Sequence, residues 1–419
     1  MRKQKNIPKL TNQNLEFLSE ELEEMIFLNS NSKTNKSLLA FGNIAELSVT
    51  NNDSFGSLKS FLDKHQDWTF GHLNYDLKNE IEPSLSSTNE DRMDFPLITF
   101  FVPKYVIEIS ENDSILHYHK KEDLATFMSF YDKKSNNSGV FDKKMGVIQK
   151  MSKEEYIQKF DVIKENIQLG NCYEMNFCHE FYTENSKINP WETYKNLNEL
   201  TNAPFSCFFK KNKQFILSAS PERFLKKEGN KITSQPIKGT AKRGRTKEED
   251  TRIKYELENN QKERAENVMI VDLVRNDLSK TAKTASVKVE ELCKVYSFDT
   301  VHQMISTVTS QIEQNTHCVD VLKSTFPMGS MTGAPKIAAM ELIEKLETTK
   351  RGVYSGAVGY FTPEQDFDFN VIIRSLLYDS KRKNISFMVG GAITIKANAE
   401  QEYQETLLKA EALLKVLKK

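Results

Sequence analysis

The 419-residue sequence lacks an excess of either charge, with 58 lysines and arginines facing 58 aspartates and glutamates. A balanced chain has no global field to draw it to nucleic acid or to an anionic membrane, so any anion site has to be local. It also lacks an apolar run long enough to span a bilayer, and its start, Met-Arg-Lys-Gln-Lys-Asn, leads into polar sequence rather than an apolar signal core. These absences predict a soluble, cytoplasmic protein that binds neither nucleic acid nor membrane. Cysteine is scarce: Cys172, Cys178, Cys207, Cys293 and Cys318 lie without CxxC pairs, which argues against a disulfide framework or a zinc site and for buried free thiols. Internal repeats are absent too. The length exceeds the usual size of one compact core and predicts a large domain with a smaller one attached, or two closely packed ones.

What is present reads first as sheet. Residues 1–36 are polar apart from an amphipathic segment over 15–28, and residues 38–114 show short strands and turns, including the aromatic, β-branched run 97–102 and then 105–109. Residues 132–145 read as a linker, and the domain boundary is placed there. Ser152 with Glu155 forms a capping box for a helix ending at Gly170. A strand over 172–182, a short helix over 190–200 and hairpins over 205–220 and around Glu228-Gly229-Asn230 follow. Residues 247–278 are helical, and their last third is apolar nearly all round, so that part is buried on more than one side. Pro335 stands in the first turn of a helix ending near Leu346. Strands over 353–361, 367–378 and 385–395 then form an antiparallel meander, and Asn398 caps the last helix.

Several segments combine residue types that carry chemistry. In Ser234-Gln-Pro-Ile-Lys238-Gly-Thr-Ala-Lys-Arg-Gly244 a lysine lies between an extended Pro-Ile step and a Gly-Thr step that allows close backbone approach; the segment reads either as a basic turn or as a ligand contact. Glu222, sixteen residues earlier at the end of an apolar strand, is either a salt-bridge partner or a general acid working with an amine nucleophile. Glu263 with Glu266 and Glu402 with Glu405 are Glu-x-x-Glu steps on helices. Each puts two carboxylates on one face, which suits either solvent or a hard cation such as Mg²⁺. The Gly-rich run 327–336 leads into a helix N-terminus, an anion seat or an ordinary tight turn; it lacks the spacing of a nucleotide-binding Walker loop. Arg374, placed among apolar residues on an alternating strand, needs a carboxylate partner, from either a ligand or a structural acid. Tyr354 between glycines, and Gly390-Gly391 inside the next strand, mark either bulges or close approach by a ligand. His302 reads equally as a core histidine.

Together these segments resemble the chorismate-utilising enzymes, the family that includes anthranilate, aminodeoxychorismate, isochorismate and salicylate synthases. The resemblance runs from about Ser152 to the C-terminus through Ser218-Ala-Ser-Pro-Glu-Arg-Phe224, Pro236-Ile-Lys-Gly-Thr240, Arg264-Ala-Glu-Asn-Val-Met-Ile-Val-Asp-Leu-Val-Arg-Asn-Asp277, residues 326–336 and 351–360, and Glu402-Tyr-Gln-Glu-Thr406. Earlier in the chain, Gly71-His-Leu-Asn-Tyr-Asp76 looks like the family's Gly-x-x-x-Tyr-Asp element. The resemblance implies an α+β fold, a large antiparallel β-sandwich with surrounding helices, made of an N-terminal β-rich region (1–140) packed on a chorismate-binding catalytic domain (146–419).

It also implies chemistry. The lysine of Pro-Ile-Lys-Gly-Thr marks the aminodeoxychorismate-forming branch, where anthranilate synthases usually carry alanine. At Glu174 the isochorismate and salicylate branches place a water-activating lysine, and the amine-transferring branches commonly a glutamine; Ala392 stands where a third glycine is frequent. By resemblance, Lys238 is the nucleophile and Glu222 the general acid, and Glu263, Glu266, Glu402 and Glu405 hold Mg²⁺. Gly239, Thr240, His302, Ser330, Tyr354, Arg374, Gly390, Gly391 and Lys409 would contact substrate. The implied reaction turns chorismate and ammonia into 4-amino-4-deoxychorismate, for 4-aminobenzoate and folate synthesis. With no Cys-His-Glu glutaminase segment in the sequence, ammonia is expected from a separate glutamine amidotransferase. A nucleophilic lysine has to shed its proton, so the expectation is a depressed pKa at Lys238.

Overall fold

The computed structural model describes residues 2–32, 34–51, 53–131, 133 and 145–418. Its strands hydrogen-bond into one antiparallel sheet of twenty strands, and eleven α-helices lie around it among the described residues. The sheet is one long ribbon in two arms. The first runs from Glu174–Thr183 through Asn384–Thr394, Ser375–Asp379, Gln214–Ser220, Phe205–Lys211 and Glu24–Asn29 to Ser37–Val49. The second runs from Ile98–Ile109 through Thr69–Leu73, Ala357–Phe361, Phe367–Val371, Arg223–Glu228 and Lys231–Ser234 to Val301–Gln311. The full-length pairing of Ser37–Val49 with Ile98–Ile109 joins the arms.

Alternation along the strands stacks the arms. Neighbours in sequence point to opposite faces, so Ile26, Phe209, Ile216 and Leu377 of the first arm pack with Phe70, Val353 and Val358 of the second in one core between them. Phe27, Phe208, Leu217 and Leu376 point the other way, under the helices that carry Trp191, Leu197, Ala410 and Leu413. Phe100, Ala357 and Phe369 form the outer face of the second arm, beneath Leu58, Ile270, Val271 and Leu322. The result is helices, sheet, sheet, helices, the sandwich expected from the resemblance.

N-terminal strands are woven into both arms rather than laid on them, since Glu24–Asn29 bonds to Phe205–Lys211 and Thr69–Leu73 to Ala357–Phe361. The linker placed at 132–145 falls almost entirely outside the described residues. Several local expectations hold. Ser152 accepts from the Glu155 amide at the head of the Lys153–Gln168 helix, Asn398 caps Ala399–Leu417, and the five cysteines are buried and free. Others are corrected. The helical stretch over 247–278 is two helices, Lys247–Glu258 and Gln261–Ser279, broken where Asn260 caps the second. The single strand read over 367–378 is two, because Arg374 at φ 50° turns the chain between them. The hairpin of Lys288–Ser297 with Val301–Gln311 had no counterpart in the sequence reading. No helix among the described residues is long and apolar enough to cross a membrane.

Candidate active site

The two end strands of the ribbon meet at the site without sharing a single backbone bond. Lys238 lies on Ile237–Lys242, which pairs with Val301–Gln311; Ile237 faces Ile305 and Thr240 faces Gln303, leaving one residue too many between them. This is a β-bulge, the usual device for re-aiming a side chain. Gly239 takes it up at φ 84°, where a Cβ would come 3.1 Å from a Glu263 carboxylate oxygen. The bulge turns Lys238 inward, and its amino group donates to Glu174 Oε1 at 2.7 Å. Glu174 opens the first strand of the other arm and is 1% exposed; its second oxygen, Oε2, has no hydrogen-bond partner.

Glu222 is buried at the start of the strand that leads to Lys238. Burial pushes its carboxyl up to about 7, against the opposing pull of the Ser330 hydroxyl and the Lys238 charge. At neutral pH it therefore carries a proton much of the time, as a general acid must. Lys238 departs from the sequence expectation: burial works against its charge, but Glu174, Glu266 and Glu222 together outweigh it and hold the ammonium above its ordinary value. The apolar setting alone pointed the other way; the number of surrounding carboxylates reverses the sign.

Four glutamates flank this pair. Burial pushes Glu266 up to about 7, helped by Glu174 and opposed by Lys238 and Lys262. Glu263 is raised by burial and by Glu405, and Glu405 is lowered chiefly by Lys409. Glu402 lies 2.8 Å from the Lys262 amino group. Lys409 reaches the Gly390 carbonyl at 2.9 Å and Glu405 at 2.8 Å. A Cβ on Gly391 would sit 3.2 Å from Glu402 Oε2, and one on Gly390 2.3 Å from Cys178 Sγ, so both glycines are needed for close packing. The Tyr354 hydroxyl lies 3.5 Å from that same sulfur. Arg374 is half-buried beside Glu222 and Glu405, which pull against the lowering effect of burial; among the described residues its guanidinium makes no hydrogen bond or ion pair. A small recess opens beside Glu222, lined by Ser330, Pro236, Phe224 and Met328.

Two expected contacts are not assembled here. His302 has both ring nitrogens engaged, by Asp250 and by Ser297, each at 2.9 Å, so it is a satisfied core histidine. Thr240 is exposed beyond the bulge. In the Gly-rich run over 327–336, Gly333 packs closely on the Glu174 end of its strand, where a Cβ would meet the Glu174 carbonyl at 2.1 Å.

The sequence reading missed the supports. Glu347 accepts the Cys178 amide at 2.9 Å and holds Arg351 at 2.6 Å. Arg351 in turn donates to the Met331 and Asn176 carbonyls, tying the Glu174 strand to the loop that carries Ser330. Lys262 was missed because a lysine four residues before a glutamate reads as an ordinary solvated helix pair.

Comparison with known proteins identifies the assembly. The sequence matches the chorismate binding enzyme family over residues 23–415. The chain belongs to that family. Among its relatives, aminodeoxychorismate synthase component 1 of Escherichia coli (strain K12) is 40% identical over 269 residues, 64% of this chain and 59% of that protein. An anthranilate synthase component I-like protein of Synechocystis is 30% identical over 365 residues, 86% of this chain and 74% of that protein. The chain thus spans less than two thirds of the length of the Escherichia coli synthase it matches. The fold is that of anthranilate synthase component I from Streptococcus pneumoniae, with TM-score 0.82 at 24% identity over 91% of this chain and 93% of that one. The menaquinone-specific isochorismate synthase of Escherichia coli follows at TM-score 0.79 and 16% identity, over 100% of this chain and 95% of that one.

For the Mg²⁺ that the resemblance implies, the donor set of this chorismate binding enzyme fits. Glu266 Oε1 is buried without a hydrogen-bond partner, all four candidates offer the hard oxygens such an ion prefers, and a lysine ammonium already lies between two of them. Among the described residues no three acidic, imidazole or thiol groups are gathered closely enough to enclose an ion as they stand.

Proposed function

We propose that this chorismate binding enzyme is an aminodeoxychorismate synthase component I, acting in the cytoplasm and converting chorismate and ammonia to 4-amino-4-deoxychorismate, the precursor of 4-aminobenzoate and folate. The observation that carries the reading is Lys238, turned by its bulge onto Glu174 at 2.7 Å, with the protonated acid Glu222 beside it.

Chorismate is a dicarboxylate, and the site offers it Arg374, Lys409, the hydroxyl of Tyr354 and the Gly390-Gly391 backbone as anchors for the pyruvyl carboxylate. Glu266, Glu402 and Glu405, with Glu263 assisting, would hold Mg²⁺, which when bound would supply charge neutralisation for the ring carboxylate. Lys238 rests as an ammonium, and Glu174 is placed to take the proton as the amine attacks. The Lys238 nitrogen bonds to ring carbon C2, the ring double bonds shift, and the C4 oxygen leaves as water with the Glu222 proton. Ammonia then adds at C4, the electrons shift back and the C2–N bond breaks, freeing Lys238. The pyruvyl group is untouched. Ammonia comes from a separate glutamine amidotransferase subunit.

The test is a product assay on the full chain with chorismate, Mg²⁺ and ammonium salts, together with mass spectrometry of wild type and Lys238→Ala. Expected are aminodeoxychorismate and, in wild type alone, an adduct on Lys238. Direct appearance of fluorescent anthranilate would assign the chain to the other amine-transferring branch, and no turnover of chorismate would make it an inactive homologue.

A further inference from the structure

Lys262 has no part in the reaction just described, yet it holds the centre of the acidic cluster. It stands in the first turn of Gln261–Ser279, and its amino group is 2.8 Å from Glu402 Oε1 on the last helix and 3.9 Å from Glu266 Oε1 one turn along its own. The two carboxylates it touches are 3% and 8% exposed, while the lysine side chain is 37% exposed. Its amino group bonds to nothing but acidic side chains among the described residues, so it can swing toward water without breaking any other hydrogen bond or ion pair. The oxygen it only approaches, Glu266 Oε1, is the buried one left without a hydrogen bond.

Buried carboxylates need a counter-charge, and two cations cannot neutralise the same oxygens at once. We propose that Lys262 is a displaceable counter-cation, which neutralises Glu266 and Glu402 in the free protein and gives them up to an incoming divalent ion. The inference rests on reading the glutamates as a Mg²⁺ site. It adds that metal affinity is set by a competitor built into the chain, and that metal arrival frees an amine at the helix start.

Calorimetric titration of the full chain with Mg²⁺ tests this without any turnover. Lys262→Met removes the competitor and should tighten Mg²⁺ binding by about tenfold, in the range ordinary for two linked binding events. Lys262→Arg keeps the charge and should bind no tighter than wild type. In wild type itself, labelling with an amine-directed reagent read by mass spectrometry should mark Lys262 more when Mg²⁺ is added, with exposed Lys247 as the control. That arm stands even if Lys262→Met does not fold. Equal Mg²⁺ affinity in wild type and Lys262→Met, or Lys262 labelling indifferent to Mg²⁺, overturns the counter-cation and leaves the metal site standing. Absence of Mg²⁺ binding in all three proteins overturns the metal site and the counter-cation with it.

Discussion

Two lysines in this molecule, their side chains 11% and 12% exposed, each hold a buried acid, and they differ in what is left over. Lys336 donates to Asp277, to the Thr325 carbonyl and to the Pro327 carbonyl, so its three protons are all placed. Burial lowers its pKa in spite of Asp277, and nearby Lys280 pushes the same way. Lys238 has one hydrogen-bond partner among the described residues, Glu174, and an excess of acid around it: Glu174, Glu266 and Glu222 outweigh burial and raise it. Oxygens of Glu174 and Glu266 stay unpaired. The first pair is closed and serves to pin a loop against a helix. The second is open on the acidic side, the condition of a site that expects a cation and a substrate. A buried lysine–carboxylate pair is thus not in itself a functional signal; the unsatisfied remainder is.

That contrast is broken most directly by exchanging the lysines. Lys238→Ala should lower aminodeoxychorismate formation by roughly a thousandfold or more, as expected when a covalent nucleophile is lost, and abolish the adduct seen by mass spectrometry. Lys336→Met should act on stability instead. Removing Lys336 leaves Asp277 only the half-exposed Lys280, 3.0 Å from its other oxygen, and should cost about 3 kcal/mol, the low end for a broken buried pair, read as a lower denaturant midpoint. A midpoint equal to wild type would show that the second pair is not structural, and the comparison would lose its footing.

Glu222 sharpens the open side. Glu222→Gln keeps the shape of the side chain but has no proton to give, so turnover should fall by about a hundredfold or more. The proposed reaction uses the acid form, and the group is pushed up to about 7, so kcat/KM should fall as pH rises through that value. The variant should lack that limb. An alkaline limb unchanged in Glu222→Gln would assign the proton to another residue.

How much of this was legible in the sequence follows from how local each feature is. The Lys238 motif, Glu222 and the helix caps depend on residues within a few positions, and the sequence displays them. Glu174 and Lys238 come from opposite ends of the ribbon and meet only because the two arms stack, so neither periodicity nor spacing announces their contact. The pKa of Lys238 was misjudged for that reason: its sign depends on a count of carboxylates from three separate segments. Arg374 was read on a continuous strand because apolar residues flank it on both sides. Its left-handed backbone turns the chain there, and that turn places the guanidinium beside Glu222 and Glu405. His302 failed in the opposite way, since Asp250 and Ser297 satisfy a residue that the family resemblance had suggested for the site.

The smallest expected effect probes the contact that the sequence concealed. Glu174→Gln removes a full negative charge 2.7 Å from the Lys238 amino group while keeping an acceptor of the same size in place. With that charge gone, burial, which opposes the ammonium, meets only Glu266 and Glu222. The lysine pKa should therefore fall. At a fixed pH below the pKa a lower value means a larger neutral fraction, so an amine-directed reagent should label Lys238 faster in the variant. Lys336, held by Asp277, should label as in wild type. Turnover should respond less simply, because the variant has a lysine easier to deprotonate but no carboxylate to receive its proton. Slower labelling of Lys238 in Glu174→Gln would mean that Glu174 does not hold the charge, and the open pair would have to be reassigned to Glu266.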